Sequence, residues 1–215
     1  MESFESRLRR FLAHEEEVPL TLIVWAENAL VPQVRLASQN RLDNLIFLGT
    51  HAFIQTFSEK VLGKRGRDAT SYFLQSFMDE VSPDKQFSQI SNELHEMRNV
   101  MAHQLFSSRT HDIAINYTMD EGWRQDEDLL HVNPEIYAEQ FITSIDGGRL
   151  WQWRNFVTDE QLAKQKYLFV RDWLDLPNGD VIAQAIGQLK VLATLADIQK
   201  AAAAIDLQIC QRYGI

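Results

Sequence analysis

Apolar side chains recur along this chain at intervals of three and four, the spacing that lines one face of an α-helix. Phe4, Leu8, Phe11 and Leu12 trace such a face over residues 3–17. Pro19 and Pro32 bracket a second apolar segment containing Trp25 and Leu30. Leu42, Leu45, Ile46, Gly49, Ala52, Phe53, Thr56, Phe57 and Val61 form one stripe and predict a helix over residues 39–62. Gly63-Lys64-Arg65-Gly66-Arg67-Asp68 ends it in a basic loop. A shorter helix over 69–81 carries Phe73, Phe77 and Val81. Ser82-Pro83-Asp84 then reads as a helix start: Ser caps, Pro fits the first turn, and Asp meets the positive end of the dipole. The helix it opens is expected to run to Phe106.

Beyond that point the pattern changes. His111 to Met119 alternates loosely and is β-prone through Ile113, Ile115 and Tyr117, and Asp128 to Val132 is expected to pair with it as a small hairpin. Asn133-Pro134-Glu135 restarts helix and Asp146-Gly147-Gly148 stops it. Thr158-Asp159-Glu160-Gln161 fits a capping box that opens a helix to Leu174. After the Pro177-Asn178-Gly179 turn, residues 180–213 read as one long helix. The sum is an all-α fold: a helical bundle over 1–106, then a small β-hairpin insertion and long C-terminal helices over 107–215 packed on the same unit. No internal repeat or low-complexity linker interrupts it.

Charge and cysteine content narrow the function classes. The net charge of −9 counts against bulk-electrostatic coating of nucleic acid, though not against a small local cationic site. The single cysteine, Cys210, excludes an intramolecular disulfide and a cysteine-based zinc site. The N-terminus lacks the apolar centre of a signal peptide, and the longest apolar run, around Leu20 to Ala26, is too short to span a bilayer. A cytoplasmic protein without membrane attachment is the expectation.

The chemistry concentrates on one helix. Placed at roughly 100° per residue, Phe87, Ile90, Leu94, Met97, Met101 and Leu105 make a core stripe. Asn92, Glu96, Asn99 and His103 fall on the opposite side, with His95 beside them and Arg98 on a flank. A histidine alone on a helix is most often an ordinary boundary residue. Here His103 has Asn99, His95 and Glu96 one and two turns away, a set able to fix a tautomer, shift an imidazole pKa and, with Arg98, bind an anion.

The segment Glu93-Leu94-His95-Glu96-Met97-Arg98-Asn99-Val100-Met101-Ala102-His103 resembles the signature helix of HEPN domains, in which Arg is followed after four to six residues by His, often with Asn directly after the Arg. The same segment is similar to a helix of mannitol operon repressor-like proteins, which have no established nuclease role. The HEPN resemblance implies a HEPN-like bundle over 1–106 and a metal-independent endoribonuclease, toxin-like, working as a homodimer that pairs two motifs. His103 would be the general acid/base, Arg98 the stabiliser of phosphate charge, and Asn99 the group that orients phosphate or imidazole, with His95 and Glu96 in support. It also implies an RNA substrate and an antitoxin or nucleotidyltransferase partner, and no cofactor or metal. The reading from a different class is a catalytically silent HEPN-like regulatory or protein-interaction module.

Other features carry less. Lys64, Arg65 and Arg67 lie between glycines but lack P-loop spacing, so a solvated turn is the reading. Trp151 and Trp153 could stack on a base, but a packing corner explains them equally. Ala201 to Ala204 reads as helix-packing surface. His95 and His103 do not have metal-ligand spacing.

Overall fold

A computed structural model describes residues 2–103, 113–192 and 194–215, with the side chain of His103 outside that description. The chain is mostly helical with one small sheet. Its contacts group it into two compact units, one of Met1–Leu22, Lys60–Gly63 and Arg154–Ile215, the other of Ile23–Glu59 and Lys64–Trp153.

The first unit contains α1 (Phe4–Ala13), α8 (Asp159–Trp173), α9 (Val181–Gln188) and α10 (Leu195–Tyr213), and the start of α2 (Glu17–Trp25). Its core is aliphatic and alanine-rich, with Leu8, Val18, Ala163, Ile186, Ile198, Ile205 and Ile209 buried. Phe11 stacks on Phe169, with ring centroids 5.4 Å apart. Thr158 caps α8 in a full capping box with Gln161, as its sequence predicts. The C-terminal 180–213 segment is two helices rather than one. Thr194 accepts from the Asp197 N–H and starts α10 afresh, and the overlooked signal was this second Thr-x-x-Asp pattern. Ala201 and Ala202 pack against this core.

The second unit carries the motif. The chain enters it within α2, takes a π turn over Ala26–Leu30, and continues as α3 (Val31–Gln39). Pro19 and Pro32 therefore lie inside helical structure rather than bracketing it. The wider turn before Pro32, closed by Val31 N–H to the Ala26 carbonyl, lets the helix continue through a residue that cannot donate. In α4 (Asp43–Phe57) the buried face is Ile46, Phe47, Thr50, His51, Phe53, Ile54 and Phe57. Leu42 and Leu45, expected in the stripe, are exposed. The helix continues as a π segment, Ser58–Leu62. Next come α5 (Gly66–Phe73) and a further π segment, Leu74–Met78. Phe53 meets Phe73 edge-on at 6.1 Å, and Phe57 meets Phe77 likewise at 6.0 Å. Burying rings of this size stabilises the unit by roughly 2 kcal/mol each.

Ser82-Pro83-Asp84 is a turn and not a helix start, because Gln86 adopts a left-handed conformation at φ 31° and breaks the run. A 3-10 turn, Phe87–Ile90, leads into α6 (Ser91–His103), and it is Asp79, from outside the segment, that accepts the Ser88 N–H at 3.2 Å. The core stripe of α6 holds where its side chains are described: Phe87, Ile90, Leu94 and Met97 are buried. The sheet has the order β1-β3-β2, with β1 (Ile113–Ile115), β2 (Trp123–Asp126) and β3 (Leu129–Val132). The expected partners, 113–115 and 129–132, do pair, but in parallel; the hairpin is β2–β3, turning at Glu127 with φ 50°. Asn133 caps α7 (Pro134–Asp146), which Gly147 ends. Trp151 and Trp153 lie in a 3-10 turn, Leu150–Phe156, where Trp153 is buried and Trp151 donates to Glu27 at 2.6 Å.

Candidate functional site

Helix α6 packs on α4 and α5. This places the polar side of α6 beside polar groups that the neighbouring helices bring from within their own buried faces. His95, Arg98 and Asn99 stand at i, i+3 and i+4, so they share one face. All three are partly buried, while Glu96 is exposed. Arg98 Nη1 donates to Asn99 Oδ1 at 2.8 Å. Among the described residues no carboxylate lies within ion-pair distance of Arg98. His103 ends α6, and its side chain lies outside the described residues, so its expected role receives no geometry.

The basic loop is not merely a solvated turn. Arg67 reaches α6 and pairs with Glu96 at 2.5 Å, Arg65 pairs with Glu59 at 3.1 Å, and Lys64 lies over the Tyr72 ring at 5.0 Å. Glu96 is thus occupied by Arg67 rather than by the imidazoles.

Three residues outside the motif complete the cluster. Thr70, fully buried on α5, has its Oγ1 3.3 Å from His95 Nδ1. Gln55 on α4 donates through Nε2 to Thr70 Oγ1 at 2.8 Å and to the Gly66 carbonyl at 3.0 Å. His51, fully buried on α4, has Nδ1 3.2 Å from the Phe47 carbonyl and 3.3 Å from the Tyr137 hydroxyl, while Nε2 has no hydrogen-bond partner among the described residues. The signal for these residues was polar positions, His51 and Gln55, inside an apolar helix. It was obscured because the stripe assigned to α4 was rotated away from its true buried face.

Electrostatics make the cluster cationic in character and its imidazoles neutral. Burial holds the His95 pKa below the ordinary imidazole value, and the positive charges of Arg98 and Arg67 lower it further against the opposing pull of Glu96. Burial pushes His51 down to about 3; its bond to the Phe47 carbonyl opposes this, and His95 and Arg98 add to it. Burial raises the Tyr137 hydroxyl well above its usual range. Arg67, His51, His95 and Arg98 therefore outweigh the single acid, Glu96, on a chain that is acidic overall. Such a face can hold an anion, with Arg98 as the charged donor and His95 as a neutral one.

Among the described residues, no three His, Cys, Asp or Glu side chains gather as metal ligands, and no helix is long and apolar enough to cross a membrane. No protein-family model, curated protein or solved structure matches the chain.

Proposed function

We propose that α6 carries a metal-independent RNA-cleaving centre of the HEPN kind, in a cytoplasmic, toxin-like protein that acts as a homodimer. The observation that carries this reading is Arg98: a partly buried guanidinium, steadied by Asn99, with no carboxylate within ion-pair distance among the described residues. A charge placed in this way is available to a phosphate. In the proposed reaction His103 removes the ribose 2′-hydroxyl proton, and the 2′-oxygen attacks the adjacent phosphorus. The 5′-oxygen then leaves with a proton, giving a 2′,3′-cyclic phosphate end. Arg98 meets the charge that builds on the non-bridging oxygens. Pairing two α6 motifs across a dimer would double the local positive charge and offset the acidic surface. An antitoxin or nucleotidyltransferase partner belongs to the same proposal.

A second reading is a silent regulatory or interaction module with the same bundle. It is favoured by the bond of His95 to buried Thr70, which gives one imidazole of the cluster a structural role.

The test is cleavage of a mixed RNA pool in EDTA by the full chain, beside Arg98→Ala and His103→Ala, with folding checked by circular dichroism. Cyclic-phosphate ends in the parent, with at least about a 100-fold loss in each folded variant, are expected. No cleavage above the variant background would transfer the assignment to the silent module.

A further inference from the structure

The hydrogen-bond chain behind His95 has a direction, and its starting point is the main chain. A backbone carbonyl only accepts. The Gly66 carbonyl must therefore face the amide nitrogen of Gln55, not its oxygen, which settles the orientation of that side chain. The same nitrogen donates to Thr70 Oγ1, so the Thr70 oxygen is an acceptor there and its own hydrogen remains to be placed. Thr70 is fully buried, and among the described residues His95 Nδ1 is the one acceptor within its reach. Were Nδ1 protonated instead, Thr70 would receive two N–H donors and its hydroxyl hydrogen would be buried without a partner.

Resting on the RNA-binding reading above, we propose that Thr70 and Gln55 are positioning residues that hold His95 in one tautomer, Nδ1 accepting and Nε2–H donating, as a neutral donor to a phosphodiester oxygen beside Arg98. The other ring nitrogen, Nε2, meets no acceptor among the described residues. His95 and Arg98 are one helical turn apart on the same face, so one phosphate can take a bond from each. The neutral state fits the surroundings of the imidazole: His51 on α4, Arg67 on α5 and Arg98 on α6 disfavour a second proton, and only Glu96 favours it. The ring thus acts by hydrogen bonding and leaves proton transfer to another group.

The experiment is long-range 1H–15N NMR of the full chain labelled at histidine, near neutral pH, with a single-stranded 2′-deoxy oligonucleotide as a phosphodiester probe that lacks the attacking hydroxyl. The expected parent spectrum shows His95 as the Nε2–H tautomer, and the probe moves its Nε2 resonance. Arg98→Ala should abolish that movement. Thr70→Val should mix the tautomers and weaken probe binding roughly tenfold, while Thr70→Ser restores both. An Nδ1–H tautomer in the parent overturns the proposal without any variant needing to fold. A parent His95 resonance indifferent to the probe overturns the assignment of a phosphodiester ligand. A single Nε2–H tautomer with probe binding, in a protein that cuts no RNA, supports this proposal and removes the nuclease reading alone.

Discussion

In the first unit, Lys166, Tyr167 and Asp206 form a polar group that closes on its own surroundings. Lys166 donates to the Leu12 carbonyl at the end of α1 at 3.1 Å and lies over the Tyr167 ring, while Tyr167 donates to Asp206 of α10 at 2.9 Å. In the second unit, the chain from Gly66 through Gln55 and Thr70 does not close. It ends at a half-exposed histidine beside an arginine with no carboxylate partner among the described residues. Both arrangements include strongly shifted groups: burial lowers Lys166 and raises Asp206 and Tyr167 in the first, and lowers His51 and His95 in the second. A perturbed pKa therefore does not distinguish a structural tie from a site. The distinction lies in whether the hydrogen bonds end on the protein or leave a donor and a charge free for something else.

The contrast can be broken most forcefully at the aromatic support of the second unit. Phe73→Ala removes a fully buried ring that packs against Phe53 and Phe57 and is expected to cost about 4 kcal/mol in urea unfolding. A loss below about 1 kcal/mol would show that α5 is not held by this cluster.

Acid should reveal the buried imidazole next. Because the pKa of His51 is lowered to about 3 in the folded state, the unfolded chain binds the extra proton between about pH 6.5 and pH 3. Stability contributed by neutral His51 is thus full above pH 6.5 and falls as the pH drops, by about 2 kcal/mol at pH 5. In His51→Phe that part of the slope should vanish, which chemical denaturation at a series of pH values would measure.

A smaller effect sharpens the comparison from the other side. Tyr167→Phe removes the donor to Asp206 and should cost about 1.5 kcal/mol. Phosphodiester binding and any RNA cleavage should be unchanged; a loss of either would mean that the closed network is not merely structural. Smallest is Gly66→Ala. Gly66 sits at φ 57° with open space where a Cβ would go, so the cost is backbone strain alone, about 1 kcal/mol by thermal unfolding.

Local chemistry was the legible part of this fold. Asn133-Pro134 and the Thr158–Gln161 box start helices because caps satisfy their own backbone N–H groups within a few residues. The apolar stripe of α6 is equally local, and it set His95, Arg98 and Asn99 away from the core. Where a distant residue intervenes, sequence signals failed. Ser82-Pro83-Asp84 looks like a helix start, but Asp79 does the capping further on, and the Trp123 indole binds the Lys85 carbonyl at 3.0 Å within the turn. The parallel pairing of β1 with β3 depends on a strand between them in sequence. The support of His95 was hidden for the same reason: Gln55, Thr70 and His95 are separated along the chain and are joined only by the packing of three helices. The interleaving of the first unit from three separate stretches likewise leaves no mark on local composition.

The π segments at Ala26–Leu30, Ser58–Leu62 and Leu74–Met78 have a consequence for how this chain tolerates changes in its length. Each accommodates one residue more than an α turn, which advances the helix beyond it by about 100°. Removing a single residue there would turn the wide turn into an ordinary one with its hydrogen-bond ladder intact, but everything downstream would rotate by that angle. Single-residue deletions in these segments should therefore leave helical content unchanged while exchanging buried for exposed positions after them, whereas deletions elsewhere in the same helices would have no surplus residue to absorb them.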